Sequence, residues 1–216
     1  MHIQPTFRAN AVFPQGALAG SDLLTAMQPA AVTLFPADAA IYAQGDAAGR
    51  ELYLVEFGTV RICRVTADGR RQITGFLTAG DVFGFEAGDE HDSYAESVDG
   101  AGIRILRPMA GQEPATAILR MALKSLARTQ HQLMLLGCRS AHARMAAFLA
   151  DLSERQGAER VVHLAMQRND VADYLGMTIE TVSRTLRFLK DEGIIRLRSI
   201  ADIEILDRTA LEDLCE

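Results

Sequence analysis

The sequence predicts an α+β chain in three successive parts: an antiparallel β sandwich or jelly roll, one long helix, and a C-terminal winged helix-turn-helix. Three observations carry this. Short apolar runs separated by Gly-Asp and Asp-Gly dipeptides fill residues 30–108. A heptad pattern free of Gly and Pro then runs from after Pro114 to Leu136. Two amphipathic segments finally meet at Gly176-Met177-Thr178, with a two-strand pattern after them.

The first part reads as strands. AVTLF, LYLVEF, VRICRV, ITGFL and IRIL are punctuated by Gly45-Asp46, Asp68-Gly69, Gly80-Asp81 and Asp99-Gly100. Glycine takes positive φ without steric cost, so such dipeptides mark tight turns, and closely spaced strands suggest a sandwich or jelly roll. Residues 1–20 are expected to be poorly ordered. The expected boundaries are 1–112 for the strand domain, 113–137 for the long helix and 138–216 for the last domain.

In the second part Leu119, Ala122, Leu126, Thr129, Leu133 and Leu136 recur in alternating steps of three and four. This is a heptad seam. By itself it fits either a helix packed on its own domain or a parallel coiled coil between two subunits. Ser140 then N-caps a helix over 141–155, with Met145, Phe148, Leu149 and Leu152 on one face and Gly157 past its end.

The third part carries the motif. Helices are expected over 168–175 and 179–192, and IIRLRSIADIEIL supplies two strands around a turn, with a last helix from Thr209. At 100° per residue, Ile179, Val182, Leu186 and Leu189 share one face of the second helix, packing toward Val171 and Leu175. Glu180, Ser183, Arg184 and Arg187 share the other face. A DNA-reading helix presents base contacts from its N-terminal half. Arg184 can grip guanine O6 and N7, Glu180 can accept from cytosine N4, and Ser183 can add a hydrogen bond. The competing account, a solvated face with ordinary charges, leaves the wing-like hairpin unexplained.

Composition bounds the rest. At 216 residues, 49% hydrophobic and 23% charged, the chain has room for one or two globular domains. No run of about 18 apolar residues occurs, so no membrane span is expected. The start MHIQPTFRANAVFPQG lacks a basic end and a long apolar run, and a cytoplasmic location is expected. Cys63, Cys138 and Cys215 form no CxxC pair, so neither a disulfide framework nor a zinc finger is expected. The net charge of −6 speaks against nucleic acid, yet residues 160–198 hold seven basic and five acidic side chains, a local +2.

Residues 168–176, Arg168-Asn169-Asp170-Val171-Ala172-Asp173-Tyr174-Leu175-Gly176, followed by Thr178-Ile179-Glu180-Thr181-Val182-Ser183-Arg184, resemble the DNA-binding motif of the CRP/FNR family of bacterial transcription regulators, nearest its FixK-type branch. Gly80–Glu86, GDVFGFE, resembles the family's jelly-roll core, and Leu136-Gly137-Cys138-Arg139-Ser140 resembles its join between dimer helix and DNA-binding domain. The resemblance implies a jelly roll like that of cyclic-nucleotide-binding domains, and a homodimer formed through the long helix. It implies that Glu180, Ser183 and Arg184 read the half-site TTGAT of the palindrome TTGAT-N4-ATCAA; Arg187, Arg168 and Thr178 are further expected DNA contacts. It further implies activation by contact with RNA polymerase, at genes of microaerobic respiration, denitrification and nitrogen fixation. A symmetric dimer sets two reading helices about one DNA turn, ~34 Å, apart.

The sensing chemistry of better-known relatives is missing from the sequence. The cyclic-AMP branch holds its ligand with a Glu and an Arg-Ser pair. Here Asp81 and Glu86 are present, but residues 87–97 contain no Arg, and His91 and Ser93 stand where the phosphate ligand is expected. A cyclic phosphate needs a fork-shaped cation or a nest of N–H groups, and Asp89, Glu90 and Asp92 would repel it. No Cys precedes Cys63, which excludes the N-terminal ligands of an FNR-type cluster. Among five histidines, His131 on the long helix is the best-placed haem ligand, against a surface role as the default. Cys138 would be redox-sensitive only if Arg139 or Arg144 depressed its pKa. The expectation is a regulator with no cofactor and no obligatory ligand, the alternative being one gated by an unidentified ligand or redox signal. A jelly-roll metalloenzyme is excluded by ligand count, since His91 is the single histidine between residues 30 and 108.

Overall fold

The computed structural model describes residues 27–109, 115–158 and 160–215. The expected poor order of residues 1–20, and the boundary between residues 112 and 113, lie outside these residues. The strands of the first part are β1 (Met27–Phe35), β2 (Ala40–Tyr42), β3 (Leu52–Phe57), β4 (Val60–Val65), β5 (Arg71–Leu77), β6 (Val82–Phe83), β7 (Tyr94–Ser97) and β8 (Ala101–Pro108). They form two four-stranded antiparallel sheets, ordered β1-β8-β3-β6 and β2-β7-β4-β5. Tyr42, Val60, Leu77 and Ala95 from one sheet meet Val55, Phe83 and Ile103 from the other in a shared core, as alternation along each strand requires. This is the double-sheet sandwich of the jelly roll.

The expected turns form where the dipeptides stand. Gly69 and Gly100 take φ of +79° and +106°. Gly58, between β3 and β4, is under a harder constraint. Its φ is +82°, and an added Cβ would lie 2.0 Å from the carbonyl oxygen of Gly100.

The long helix α1 (Ala115–Gly137) lies with Met121 against Leu52, Leu54, Val82 and Leu106, on the outer face of the first sheet. Gln132 is buried and its Nε2 donates to the carbonyl of Ile73 in β5 at 2.9 Å. The opposite face is bare: Leu119 is 59% exposed, Leu126 52% and Leu133 63%. Leu123 and Met134 lie exposed beside them, whereas Ala122 and Leu136 are half-buried and the exposed Thr129 donates its Oγ1 to Ser125 O. Among the described residues, no helix is long and apolar enough to cross a membrane.

The last domain holds α2 (Ala141–Gln156), β9 (Val161–His163), α3 (Arg168–Leu175), α4 (Ile179–Asp191), β10 (Ile195–Leu197), β11 (Asp202–Ile205) and α5 (Arg208–Asp213). Ser140 Oγ accepts from Ala143 N at 3.0 Å, and Gly157 closes α2 at φ +57°, as its sequence directs. Strand β9, which periodicity does not signal in three residues, pairs with β11 to complete a sheet ordered β10-β11-β9. One core runs through both domains: Cys63, Ile73 and Phe76 of the second sheet pack with Leu149, Val171 and Leu175.

Gly58→Ala is expected to destabilise the chain by roughly 1–3 kcal/mol, from left-handed strain and collision with a backbone oxygen. Urea denaturation against the parent protein checks this, and an unchanged midpoint would contradict the β3–β4 turn geometry.

Candidate nucleic-acid interface

Helix α4 is built to show one face and hide the other. Val182, Thr185, Leu186 and Leu189 are buried, facing Val171 and Leu175 of α3 in the common core. Ile179, expected inward, is 39% exposed. It stands in the first turn, at the edge of the helix–helix contact, and Thr185 supplies the buried position that apolar counting overlooks.

Glu180, Ser183, Arg184 and Arg187 are all exposed, three of them in the N-terminal half of the helix. Thr178 is the N-cap: its Oγ1 accepts from Thr181 N at 3.2 Å and shares a hydrogen bond with Thr181 Oγ1 at 3.1 Å. The Glu180 carboxyl is held below its usual range by its own backbone N–H, by the Thr178 hydroxyl and by the Arg184 charge. It is therefore ionised at neutral pH and acts only as an acceptor, which suits an exocyclic amine donor.

The turn between α3 and α4 is clamped from outside. Gly176 takes φ +61°, and its N–H donates to Ala172 O. Arg144 of α2 reaches over it, with Nη1 donating to Leu175 O at 3.0 Å and to Gly176 O at 3.4 Å. These are carbonyls at the negative end of α3, which a cation satisfies. Sequence reasoning missed this role. The signal was a cation in the first turn of α2, where the dipole disfavours positive charge.

Arg168 starts α3 and ties it to the wing, with Nη2 donating to Ile200 O at 3.0 Å. Its Nη1 is buried and has no hydrogen-bond partner among the described residues, and burial pulls the guanidinium pKa down. In the wing, Glu204 holds both arginines: Arg198 Nη2 at 2.9 Å and Arg196 Nη1 at 3.2 Å. The two guanidinium side chains remain 51% and 63% exposed. Reading helix, Arg168 and wing thus form one connected unit.

Two of the five acids that dilute the charge of residues 160–198 are turned away from this unit. Asp170 and Asp173 face the strand domain, where Arg61 and Arg71 neutralise them. This network escaped sequence reasoning because its partners stand about a hundred residues apart.

The sensor-side candidates are distributed differently. His131 Nε2 faces Asp151 at 3.4 Å, His163 Nδ1 faces Asp202 at 2.9 Å, and His142 packs on Phe188. His91 is buried against Glu86. Cys63 is buried, and burial pushes its thiol up to about 11. Cys138 is half-exposed, with its thiol toward Met134 O at 3.5 Å.

Residues 143–214 match the Crp-like helix-turn-helix domain family, and residues 32–98 match the cyclic nucleotide-binding domain family. The nitrogen fixation regulation protein FixK of Rhizobium meliloti (strain 1021) is 44% identical over 187 residues, spanning 87% of this chain and 88% of that protein. FixK of Azorhizobium caulinodans is 41% identical over 181 residues, spanning 78% and 73%. The solved structure of FixK2 from Bradyrhizobium japonicum aligns with a TM-score of 0.78 at 33% identity, covering 87% of this chain and 98% of that one. With the second helix of a helix-turn-helix capped and presented at its surface, and with relatives of this similarity along most of its length, the chain belongs to the CRP/FNR family of transcription regulators and is FixK-like.

Proposed function

We propose that this regulator binds a TTGAT-N4-ATCAA-like palindrome as a homodimer, without an obligatory small-molecule ligand. It activates microaerobic and anaerobic genes in the cytoplasm through contact with RNA polymerase. The observation that carries the DNA reading is the exposed row of Glu180, Ser183 and Arg184 in the capped half of α4. Arg187, Arg168 and Thr178 flank it, and Arg196 and Arg198 add positive charge from the wing.

Ligand independence is supported by what fills the place where a nucleotide would sit. Glu86, the ribose-binding candidate, accepts from His91 Nδ1 at 3.1 Å through one oxygen and from Asp92 N at 3.4 Å through the other. His91 stacks on Tyr42 with ring centroids 3.6 Å apart and planes 5° from parallel. A cleft of about 310 Å³ remains beside them. Its guanidiniums already face carboxylates: Arg128 and Arg155 pair with Asp81, and Arg64 lies 4.0 Å from Asp92. An incoming phosphate would have to break these pairs and accept Glu86 and Asp92 as neighbours.

Dimerisation is supported by the bare face of α1. Leu119, Leu126 and Leu133 lie one heptad apart on it, with Leu123 and Met134 beside them. Such a stripe on a monomer marks an interaction surface, and heptad spacing suits a second copy of the same helix. The effective seam is then Leu119, Leu126 and Leu133 with Leu123 and Met134. Ala122 and Leu136 contribute at its margin and Thr129 as a polar step.

Arg184→Ala is expected to weaken specific binding by roughly 1–3 kcal/mol and to relax preference at the contacted guanine. Anisotropy titration over single-base variants of the duplex reads both effects; an unchanged base preference would remove Arg184 from the reading role. Wild-type protein is expected to bind the palindrome equally with and without added cyclic nucleotide, in air and under anoxia. Binding that appears only with a ligand or only without oxygen would replace this reading with a gated one. Leu126→Glu is expected to give monomers in sedimentation velocity with the single-chain fold intact, because Leu126 is solvent-facing in the monomer. An intact dimer would move the interface off this face.

A further inference from the structure

Beside the shared apolar core, helix α3 meets the strand domain through a charged network. The Asp170 side chain is 4% exposed; its Oδ2 accepts from Arg61 Nη1 at 3.1 Å and its Oδ1 from Arg71 Nη2 at 2.5 Å. Arg71 Nε donates to Asp173 Oδ2 at 2.9 Å, and Gln72 Nε2 donates to the Asp173 carbonyl at 2.7 Å. On the strand side Arg61 is held by Glu96 at 2.7 Å and Asp38 at 3.0 Å. Phe76 and Tyr174 meet beside the network, with ring centroids 5.2 Å apart.

Strand β5 also carries the long helix. Ile73 O, one residue past Gln72, accepts from the buried Gln132 of α1. Three consecutive residues of one strand, Arg71, Gln72 and Ile73, therefore bind α3, the first helix of the helix-turn-helix, and the helix that bears the bare apolar face. On the other side, α3 carries α4 rigidly through Val171, Leu175 and the Arg144 clamp.

We propose that Arg61 and Arg71, with Asp170 and Asp173, form a brace that fixes the pose of the reading helix relative to the dimer helix, and so sets the separation of the two reading helices. These four are positioning residues for palindrome recognition. The inference rests on the dimer and palindrome reading given above. A buried ion network is a poor source of net stability but a strong source of geometric definition, because each guanidinium has few places to go once its carboxylate moves. The brace is not an autoinhibitory contact. Glu180, Ser183, Arg184 and Arg187 stay exposed with the brace closed, and among the described residues none hydrogen-bonds to the strand domain.

The experiment separates pose from chemistry. Wild type, Arg71→Met and Asp173→Asn are titrated onto a palindrome with a four-base-pair spacer, palindromes with three- and five-base-pair spacers, and a duplex with one half-site. One added base pair turns a half-site by about 35° and moves it about 3.4 Å. A single half-site tests only one reading helix, whereas the palindrome needs both placed together. Both residues are about one-third exposed, Asp170 keeps Arg61 when Arg71 is replaced, and thermal melting confirms that each variant folds. The expected result is a loss of about tenfold on the four-base-pair palindrome, with half-site binding within about twofold of wild type and a flattened spacer preference. Equal losses on palindrome and half-site, or no loss on either, would overturn the brace and leave the reading of the site standing. Wild type that fails to prefer the palindrome over a scrambled duplex would overturn both.

Discussion

Asp170 sits almost sealed from water, with one guanidinium on each oxygen. A carboxylate there is tolerable only while it is paired, since an unpaired buried charge costs several kcal/mol, on the order of 3–5. That requirement governs how the halves of the chain meet. It brings α3 onto β4 and β5, which lets Cys63, Ile73 and Phe76 join the core of the last domain. It also turns the open side of α4 away from the strand domain. Burial pulls the Arg61 guanidinium pKa down, but its hydrogen bond to Glu96 and the nearby Asp170 charge outweigh that, and the net shift is upward. The guanidinium is therefore charged at neutral pH, as its pairing with Asp170 requires.

What could be read in the sequence was local. Ser140, Gly157, Thr178 and Gly176 act within a few residues of where they stand, so caps and turns announced α2, α3 and α4 nearly to their ends. The same periodicity separated Glu180, Ser183 and Arg184 from Val182, Leu186 and Leu189. What could not be read was non-local. Asp170 already has a local reason to stand in the first turn of α3, where the dipole favours an acid, and that reason hid its second partners. Leu123 and Met134 escaped the heptad because a strict three-four count from Leu119 selects Ala122 and Leu136, which lean toward the protein instead. Strand β9 exists because β11 offers it a partner, not because three residues of its own demand it.

The jelly roll keeps the shape of a nucleotide-binding domain while answering its polar groups internally. Glu86 is taken by His91, His91 by Tyr42, and Asp81 by cations from both α1 and α2. Asp81 thereby joins the strand domain to both α1 and α2. On the proposed ligand-independent reading, these contacts stand where differential ligand binding would otherwise act, and control passes to quantities outside the fold, such as how much protein is made.

The charge distribution completes the argument. A chain of net charge −6 is repelled by DNA at long range, so binding depends on where the positive charge is placed. Here three acids of the last domain are consumed in structural pairs: Asp170 and Asp173 by Arg61 and Arg71, Glu204 by the wing arginines. Arg184 and Arg187 are left exposed on α4, and Arg196 and Arg198 keep exposed donors in the wing. At the screening length of physiological salt, about 8 Å, a phosphate feels this local surface far more than the distant acidic jelly roll. The same ion pairs that hold α3 on the strand domain therefore also take two acids away from the exposed face of α4, and geometry and electrostatics become two consequences of one set of contacts.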